Sequence, residues 1–120
     1  MYKVRFTNRR EIRMGSPYNL VDAVVEGDYV PDLSGYEFQD VAATSPQGND
    51  LYLVFWDLHG NAPAFRVLWL SEDNRSARVS EWVPSACREL IATPVSGTLR
   101  ARVWDLYDGE RTIDIIFPEE

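Results

Sequence analysis

The sequence predicts an α+β, mainly β protein in which about eight antiparallel strands form a curved sheet, an open barrel or a sandwich, with two short helices. Three observations favour this fold class. Short segments alternate between apolar and polar residues with the period of a half-buried strand. One segment, residues 51–70, is almost wholly apolar. The connections between segments are short, which disfavours parallel βαβ units.

The size and composition of the chain indicate one domain with its own core. A length of 120 residues matches a single domain, so we expect one domain over residues 1–120. A hydrophobic fraction of 45% can fill an interior without disulfides or metal ions. Cys87 is the only cysteine, which suits a reducing compartment. No signal peptide or segment of transmembrane length is visible, and we expect a cytoplasmic protein.

The protein is acidic, and its charge is unevenly distributed. Its net charge of −7 disfavours binding to nucleic acids and anionic membranes, because both repel an acidic protein. Residues 1–14 carry five basic groups and one acid, a balance of +4. Residues 15–120 carry 7 basic and 18 acidic groups, a balance of −11.

The N-terminal segment predicts a short hairpin. Tyr2, Val4 and Phe6 alternate with polar residues, as expected for a strand with one buried face. After a polar turn, Ile12 and Met14 continue the alternation in a second strand.

Residues 17–26 are predicted to form the first helix. Ser16 and Pro17 match an N-cap and a first helical residue, and Gly27 matches a C-terminal stop. Four apolar residues share one face of this helix: Leu20, Val21, Val24 and Val25.

A central hairpin follows a predicted strand at residues 36–44 and a turn at residues 45–50. Residues 51–56 are an unbroken apolar run, too short for an ordinary helix and rich in aromatic and β-branched side chains. We therefore expect a strand covered on both faces. A polar connection of about six residues separates it from a second strand at residues 65–70.

A second helix is predicted over residues 84–92, after a sixth strand at residues 77–83. Pro84 and Ser85 match the start of a helix. Three apolar residues then follow at helical spacing: Cys87, Leu90 and Ile91.

The last two strands, residues 98–107 and 111–117, are joined by an Asp-Gly pair that is typical of hairpins. The 15 residues from Phe55 and the 15 from Val103 share a Trp-Asp-Leu triplet when aligned without gaps. We interpret this internal similarity mainly as the mark of two equivalent hairpins and give gene duplication a smaller weight.

Candidates for catalysis are few. Asp57 and His59 lie two residues apart, so on one strand they could form a general base oriented by a carboxylate. Asp105, the counterpart of Asp57 in the second hairpin, could add a second carboxylate. The favoured interpretation makes the aspartates turn caps and His59 a solvated turn residue, since no nucleophile or oxyanion donor accompanies them. With one histidine and one cysteine, we expect no metal site of the usual kind and no cofactor.

The aromatic and arginine residues offer binding surfaces. Each of the four tryptophans is expected in the core, with a pocket or an interface as the alternative. The arginines on strands are expected to cover apolar surface and pair with acids across strands, and the alternative is a face that binds an anionic ligand or an acidic partner. These residues are Trp56, Trp69, Trp82 and Trp104, and Arg5, Arg13, Arg66, Arg78, Arg100 and Arg102.

Three functions are compatible with these residues. The favoured one is a small acidic interaction protein, not an enzyme, which binds a protein partner or itself as a homodimer, as an inhibitor or immunity-type protein would. The alternative is a barrel or cupped sheet that binds a small apolar or anionic ligand in a pocket lined by tryptophan and arginine. The third is a hydrolase or isomerase. The candidate ligand or interface residues are Trp56, Asp57, His59, Trp69, Arg100, Arg102, Trp104 and Asp105, and the catalytic set would be Asp57, His59 and Asp105.

Overall fold

The computed structural model confirms a mainly β, antiparallel fold, and its described residues form nine strands in two sheets. The structure describes residues 1–11, 19–57, 64–105 and 108–118. The strands are β1 (Lys3–Glu11), β2 (Asn19–Glu26), β3 (Phe38–Thr44), β4 (Asp50–Trp56), β5 (Phe65–Ser71), β6 (Ser76–Val79), β7 (Ala86–Ala92), β8 (Leu99–Asp105) and β9 (Gly109–Ile115).

The larger sheet has the order β1-β2-β3-β4-β5-β6, and the smaller sheet has the order β7-β8-β9. Neither is closed into a barrel. Strands β2 and β3 share a single Cα pair, Val21 with Phe38. Because a single residue pair joins β2 to β3, the β1–β2 hairpin can bend out of the plane of β3–β6. It packs against one face of those four strands. The result is three layers, with β3–β6 in the middle.

The central hairpin β4–β5 is covered on both faces, as the sequence predicts. One face packs against the smaller sheet in a shared core cluster. The other packs against the β1–β2 hairpin in a second cluster. On the first face lie Tyr52, Val54, Phe65, Val67 and Trp69, opposite Cys87, Leu90, Leu99, Ala101 and Val103. On the second lie Leu51, Leu53, Leu68 and Leu70, opposite Tyr2, Val4, Val21 and Val25.

The helix predicted over residues 17–26 is wrong, because β2 occupies Asn19–Glu26 as the antiparallel partner of β1. The first two residues of that helix lie outside the described ranges. In the strand Val21 is 2% exposed, whereas Val24, which the helix would bury, is 40% exposed. Val21, Ala23 and Val25 face the core together, at the two-residue spacing of a strand. β-Branched valines favour strands, and β1 supplies the hydrogen-bonding partner that a strand needs.

The helix predicted over residues 84–92 is also wrong, because β7 spans Ala86–Ala92. The pairing of β7 with β8 shifts between Cys87 and Glu89, which marks a β-bulge. A bulge adds one residue and changes which side chains face inward. Cys87 and Leu90 therefore both face the core although they lie three residues apart, a spacing that resembles a helix.

The N-terminal hairpin is not formed as predicted. β1 continues through Lys3–Glu11 and pairs with β2 instead. Its register shifts between Thr7 and Arg10, and Asn8 has a φ of 55°. The polar segment is thus a bulge within one strand, where asparagine tolerates a left-handed backbone. Residues 12–14 lie outside the described ranges.

The two hairpins that share a Trp-Asp-Leu triplet belong to different sheets and differ in register. Trp56 pairs with Phe65, nine residues along the chain. Trp104 pairs with Glu110, six residues along. The gapless sequence similarity therefore does not correspond to the same strand pairing.

Candidate functional site

Three of the four tryptophans lie at one end of the molecule. Trp56 pairs with Phe65, which forms a bridge with Val83. Three residues later, Ala86 pairs with Trp104. One short segment thus runs between the strand ends that carry the two Trp-Asp-Leu triplets. We call this end the tryptophan end, and define it by Trp56, Trp82 and Trp104.

The tryptophans differ in exposure, so they are not all core residues. Trp56 and Trp69 are buried, and Trp104 is partly buried. Trp82 is 36% exposed, although its Nε1 donates a 2.8 Å hydrogen bond to the backbone oxygen of Asp57. An exposed indole fixed in this way loses little conformational entropy on binding a partner.

A groove of about 460 Å³ lies between β3 and β7 and includes Trp104 in its wall. Both strands are bulged at this point. β3 shifts its register between Phe38 and Ala42, and β7 between Cys87 and Glu89. Bulges are frequent at sheet edges and next to binding sites, because they redirect side chains. Here both bulges lie along the seam between the two sheets, beside the groove.

Gln39 joins the two sheets across this seam. Its Nε2 donates a 2.6 Å hydrogen bond to the backbone oxygen of Cys87. That contact fixes the amide orientation, because only nitrogen can donate to a carbonyl. The Oε1 atom of Gln39 is buried and accepts no hydrogen bond from any described residue. An unsatisfied buried acceptor costs about 1–3 kcal/mol.

Charged groups flank the groove. Asp40 on β3 accepts a hydrogen bond from Arg9 Nη2 on β1, so its charge is balanced. Arg88, in the bulge of β7, is exposed. Cys87 contributes to the lining, but its side chain faces the core, and burial raises the pKa of its thiol to about 12. The thiol is therefore neutral at physiological pH.

A second cleft, of about 410 Å³, lies on the other face of the middle layer. Its lining includes Tyr36, Phe55, Asp57 and Arg66. The Oδ2 atom of Asp57 lies 2.8 Å from Arg66 Nε, so this carboxylate forms an ion pair with an arginine on the neighbouring strand. The ion pair joins the end of β4 to β5.

The other two residues of the catalytic hypothesis are His59 and Asp105. His59 lies outside the described residues, and so does the side chain of Asp105. Within the described ranges no group of three or more His, Cys, Asp or Glu residues could hold a metal ion. No helix in those ranges has the length and apolar character to cross a membrane.

Arg100 and Arg102 lie on the outer face of the smaller sheet and face acids. Arg100 Nε is 3.4 Å from Asp114 Oδ1. Arg102 lies between Glu89 at 3.2 Å and Glu110 at 2.7 Å. Each arginine thus pairs with acids on neighbouring strands, and the two do not form an uncompensated basic face.

The far end of the molecule is closed by a buried polar network that sequence reasoning missed. Trp69 Nε1 and Ser96 Oγ both donate to Asp50 Oδ1, at 2.9 and 3.0 Å. The backbone N–H of Gly97 donates to the Tyr52 hydroxyl at 2.9 Å. Trp69 is therefore buried and held in place by this network. The signal in the sequence was an aspartate directly before an apolar run, which we interpreted as a turn residue.

The fold and its grooves define a class, an acidic protein of two antiparallel sheets in three layers. A comparison with protein-family models, curated proteins and solved structures finds no match to this chain.

Proposed function

We propose that this is a non-enzymatic interaction protein that binds a basic protein partner through the tryptophan end, in the manner of an inhibitor or immunity-type protein. The observation that carries the proposal is Trp82, an indole that is 36% exposed and fixed by its hydrogen bond to Asp57. Tryptophan dominates binding energy at protein interfaces more than its frequency suggests. A fixed and partly exposed tryptophan can therefore contact a partner with little loss of conformational entropy.

Further apolar surface lies beside Trp82. The backbone N–H of Glu81 donates a 2.8 Å hydrogen bond to the oxygen of Ile116, which places the C-terminal segment next to the segment that carries Trp82. Ile116 is 51% exposed. An aromatic anchor with adjacent aliphatic surface and charged residues around it has the composition of an interface centre.

The charge of the protein favours a basic partner over a second copy of the chain. The net charge of −7 attracts a basic protein at long range and raises the association rate. Two copies of this chain repel each other by the same physics. The homodimer and the cytoplasmic location predicted from the sequence stay predictions.

The test is identification of the partner followed by reconstitution. The protein is cross-linked in its source cells, captured proteins are identified by mass spectrometry, and each is purified and titrated by calorimetry. We expect a basic protein whose affinity falls about thirtyfold with Trp82→Ala. The matched control is Ile91→Ala, an exposed apolar residue on β7, which should bind as the wild type does.

Three results would overturn the proposal. The first is a partner that binds Trp82→Ala and wild type equally well. The second is a homodimer in light scattering at high micromolar concentration that Trp82→Ala dissolves, since the occupant would then be a second copy. The third is catalytic turnover of a substrate that Asp57→Asn abolishes.

A further inference from the structure

We infer that the outer edge of β9 receives a basic extended segment of the partner, which adds a strand to the smaller sheet. The source of that segment is the partner of the proposed function, on which this inference rests. Strand β9 begins at the tryptophan end, because Glu110 pairs there with Trp104 on β8.

The two sheets have four edge strands, and two of these are bulged. The larger sheet ends at β1 and β6, and the smaller sheet ends at β7 and β9. β1 shifts its register around Asn8, and β7 shifts its register next to Cys87. The backbone oxygen of Cys87 also accepts a hydrogen bond from Gln39 on β3. Bulges disfavour the pairing of a further strand at a sheet edge.

The edge strand β6 is covered by the C-terminal segment. The Glu81 N–H, just beyond β6, donates a 2.8 Å hydrogen bond to the oxygen of Ile116. Arg78, within β6, donates to the oxygen of Pro118. A covering segment is another way in which proteins protect a sheet edge.

The edge strand β9 has neither kind of protection in the part of the chain that the structure describes. All seven residues of Gly109–Ile115 pair with β8 in an unbroken register. No described strand pairs with its other side. In an antiparallel strand, every second residue directs its N–H and C=O away from the neighbouring strand. β9 therefore offers a row of backbone groups to which an added strand can hydrogen-bond.

The charges on β9 select a basic strand. Glu110, Thr112 and Asp114 alternate onto the outer face of the smaller sheet. The side chains of Glu110 and Asp114 are 43% and 75% exposed, although Arg102 and Arg100 contact them from β8. A carboxylate has two oxygens and accepts several hydrogen bonds, so each acid can also pair with a cation on the added strand. The segment should carry two basic residues four positions apart.

The inner face of β9 favours an apolar residue between those two positions. Ile113 is partly buried and packs against the core cluster shared by the two sheets. An apolar side chain opposite Ile113 would cover more of its surface. Arg111 donates to Ser85 Oγ and alternates to the face opposite Glu110, so it does not face the basic residues of the segment.

A second copy of this chain fits the edge less well. Antiparallel pairing of two β9 strands about Thr112 would place Glu110 of each copy opposite Asp114 of the other. Like charges directly opposite each other destabilise a strand pair. The net charge of −7 adds repulsion at long range.

The test uses a short peptide and the full chain. The acetylated and amidated peptide Thr-Lys-Val-Thr-Thr-Lys-Thr is titrated into the isotope-labelled protein, and backbone amide signals are followed by NMR. We expect saturable shifts along β9. Replacement of both lysines with glutamate should weaken binding about tenfold, because the glutamates would lie opposite Glu110 and Asp114.

Two further peptides test for backbone pairing. One carries N-methyl groups at its odd positions and the other at its even positions. Only one set of peptide N–H groups faces β9, so one of these peptides should bind about tenfold more weakly and the other should bind as the parent does.

A charge-reversal variant locates the contact. Asp114→Lys should lose affinity for the lysine peptide and gain affinity for the glutamate peptide. Glu26→Lys is the matched control, because it makes the same change of charge at an exposed position on β2. It should leave the preference for the lysine peptide unchanged.

Five results would contradict the inference. They are the absence of saturable shifts, shifts that avoid β9, equal binding of the lysine and glutamate peptides, equal binding of the two N-methylated peptides, and a homodimer in which the β9 amides are protected from hydrogen exchange. A purified partner that needs Trp82 but tolerates Asp114→Lys overturns this inference alone. A partner that Asp114→Lys weakens and Trp82→Ala does not overturns the proposed function alone.

Discussion

Asp50 and Trp69 lie on opposite strands of the central hairpin and share a buried hydrogen bond, with 2.9 Å between Trp69 Nε1 and Asp50 Oδ1. Asp50 is 2% exposed and also accepts from Ser96, in the loop between β7 and β8. One carboxylate therefore joins the middle layer to the smaller sheet. A buried carboxylate is tolerated because donors surround it.

Asp50→Ala should lower the free energy of unfolding by about 2–4 kcal/mol, because it leaves the Trp69 N–H buried without an acceptor and removes the hydrogen bond from Ser96. Urea denaturation measures the loss. Asp73→Ala, at an exposed turn, is the matched control and should cost less than about 1 kcal/mol. A double-mutant cycle with Trp69→Phe should give a coupling of about 1 kcal/mol or more, and an additive cycle would contradict the contact.

The sequence predicted those parts of the fold in which the hydrophobic pattern has one interpretation. The run of β4 is too short for a helix and apolar on both sides, which required a strand covered on both faces. The bulge of β7 could not be foreseen, because it places Cys87 and Leu90 inward at a helical spacing. Pairing between β1 and β2 is likewise a tertiary fact, and it decided the state of a segment whose pattern fits helix and strand alike.

The candidate site was likewise predictable only where a local sequence pattern indicated it. Trp56 and Trp104 were predicted by residue type, and their presence at one end depends on the Phe65–Val83 bridge, which no local pattern indicates. Gln39 was missed because a single glutamine on a strand carries no sequence signal. Gln39 joins the two sheets at a point where a bulge of β3 lies next to a bulge of β7. Only the fold shows that these two bulges are neighbours.

Gly97→Ala should destabilise the protein by about 2–4 kcal/mol through two effects. Gly97 has a φ of +78°, a conformation that costs other residues about 1–2 kcal/mol. A Cβ there would also lie 2.6 Å from Trp69 Cη2, which is too close. The indole cannot easily move away, because its N–H is hydrogen-bonded to Asp50. Thermal and urea unfolding both report the change.

Two other glycines separate these effects. Gly109 has a φ of +68° but open space around it, and Gly35 has open space without a positive φ. Gly109→Ala should therefore cost only the backbone strain, and Gly35→Ala should be close to neutral. Equal losses at Gly97 and Gly109 would show that the contact with Trp69 contributes nothing.

Val21→Thr and Val24→Thr distinguish the strand from the helix in β2. The substitution replaces a methyl group with a hydroxyl at almost constant volume. Val21 is buried, so its variant should lose about 1–3 kcal/mol through the unpaired hydroxyl. Val24 is exposed on the strand, and its variant should change the free energy of unfolding by less than about 0.5 kcal/mol. A helix would bury both valines, so equal losses in denaturation would favour the helix.

Cys87 should be unreactive in the folded protein. Its side chain is buried, and burial raises the pKa of the thiol from 9.0 to about 12. A rise of that size lowers the thiolate fraction at neutral pH about a thousandfold. An aromatic disulfide reagent should label the thiol only after urea is added, at a rate that follows unfolding. Rapid labelling of one thiol per chain in native buffer would contradict the burial.

Glu72→Gln should change the acid stability of the protein. The pKa of Glu72 lies below its ordinary value of 4.5, because the backbone N–H of Asp28 and the amino group of Met1 donate hydrogen bonds to its carboxylate. A carboxyl whose pKa is lower in the folded state stabilises the fold above the unfolded value, and this stabilisation disappears as the pH falls through the folded value. The variant should therefore be less stable than the wild type at neutral pH, and the difference should shrink as the pH falls below 4.5. Urea denaturation over that pH range measures both quantities, and a difference that stays constant with pH would show that the Glu72 carboxylate does not couple protonation to folding.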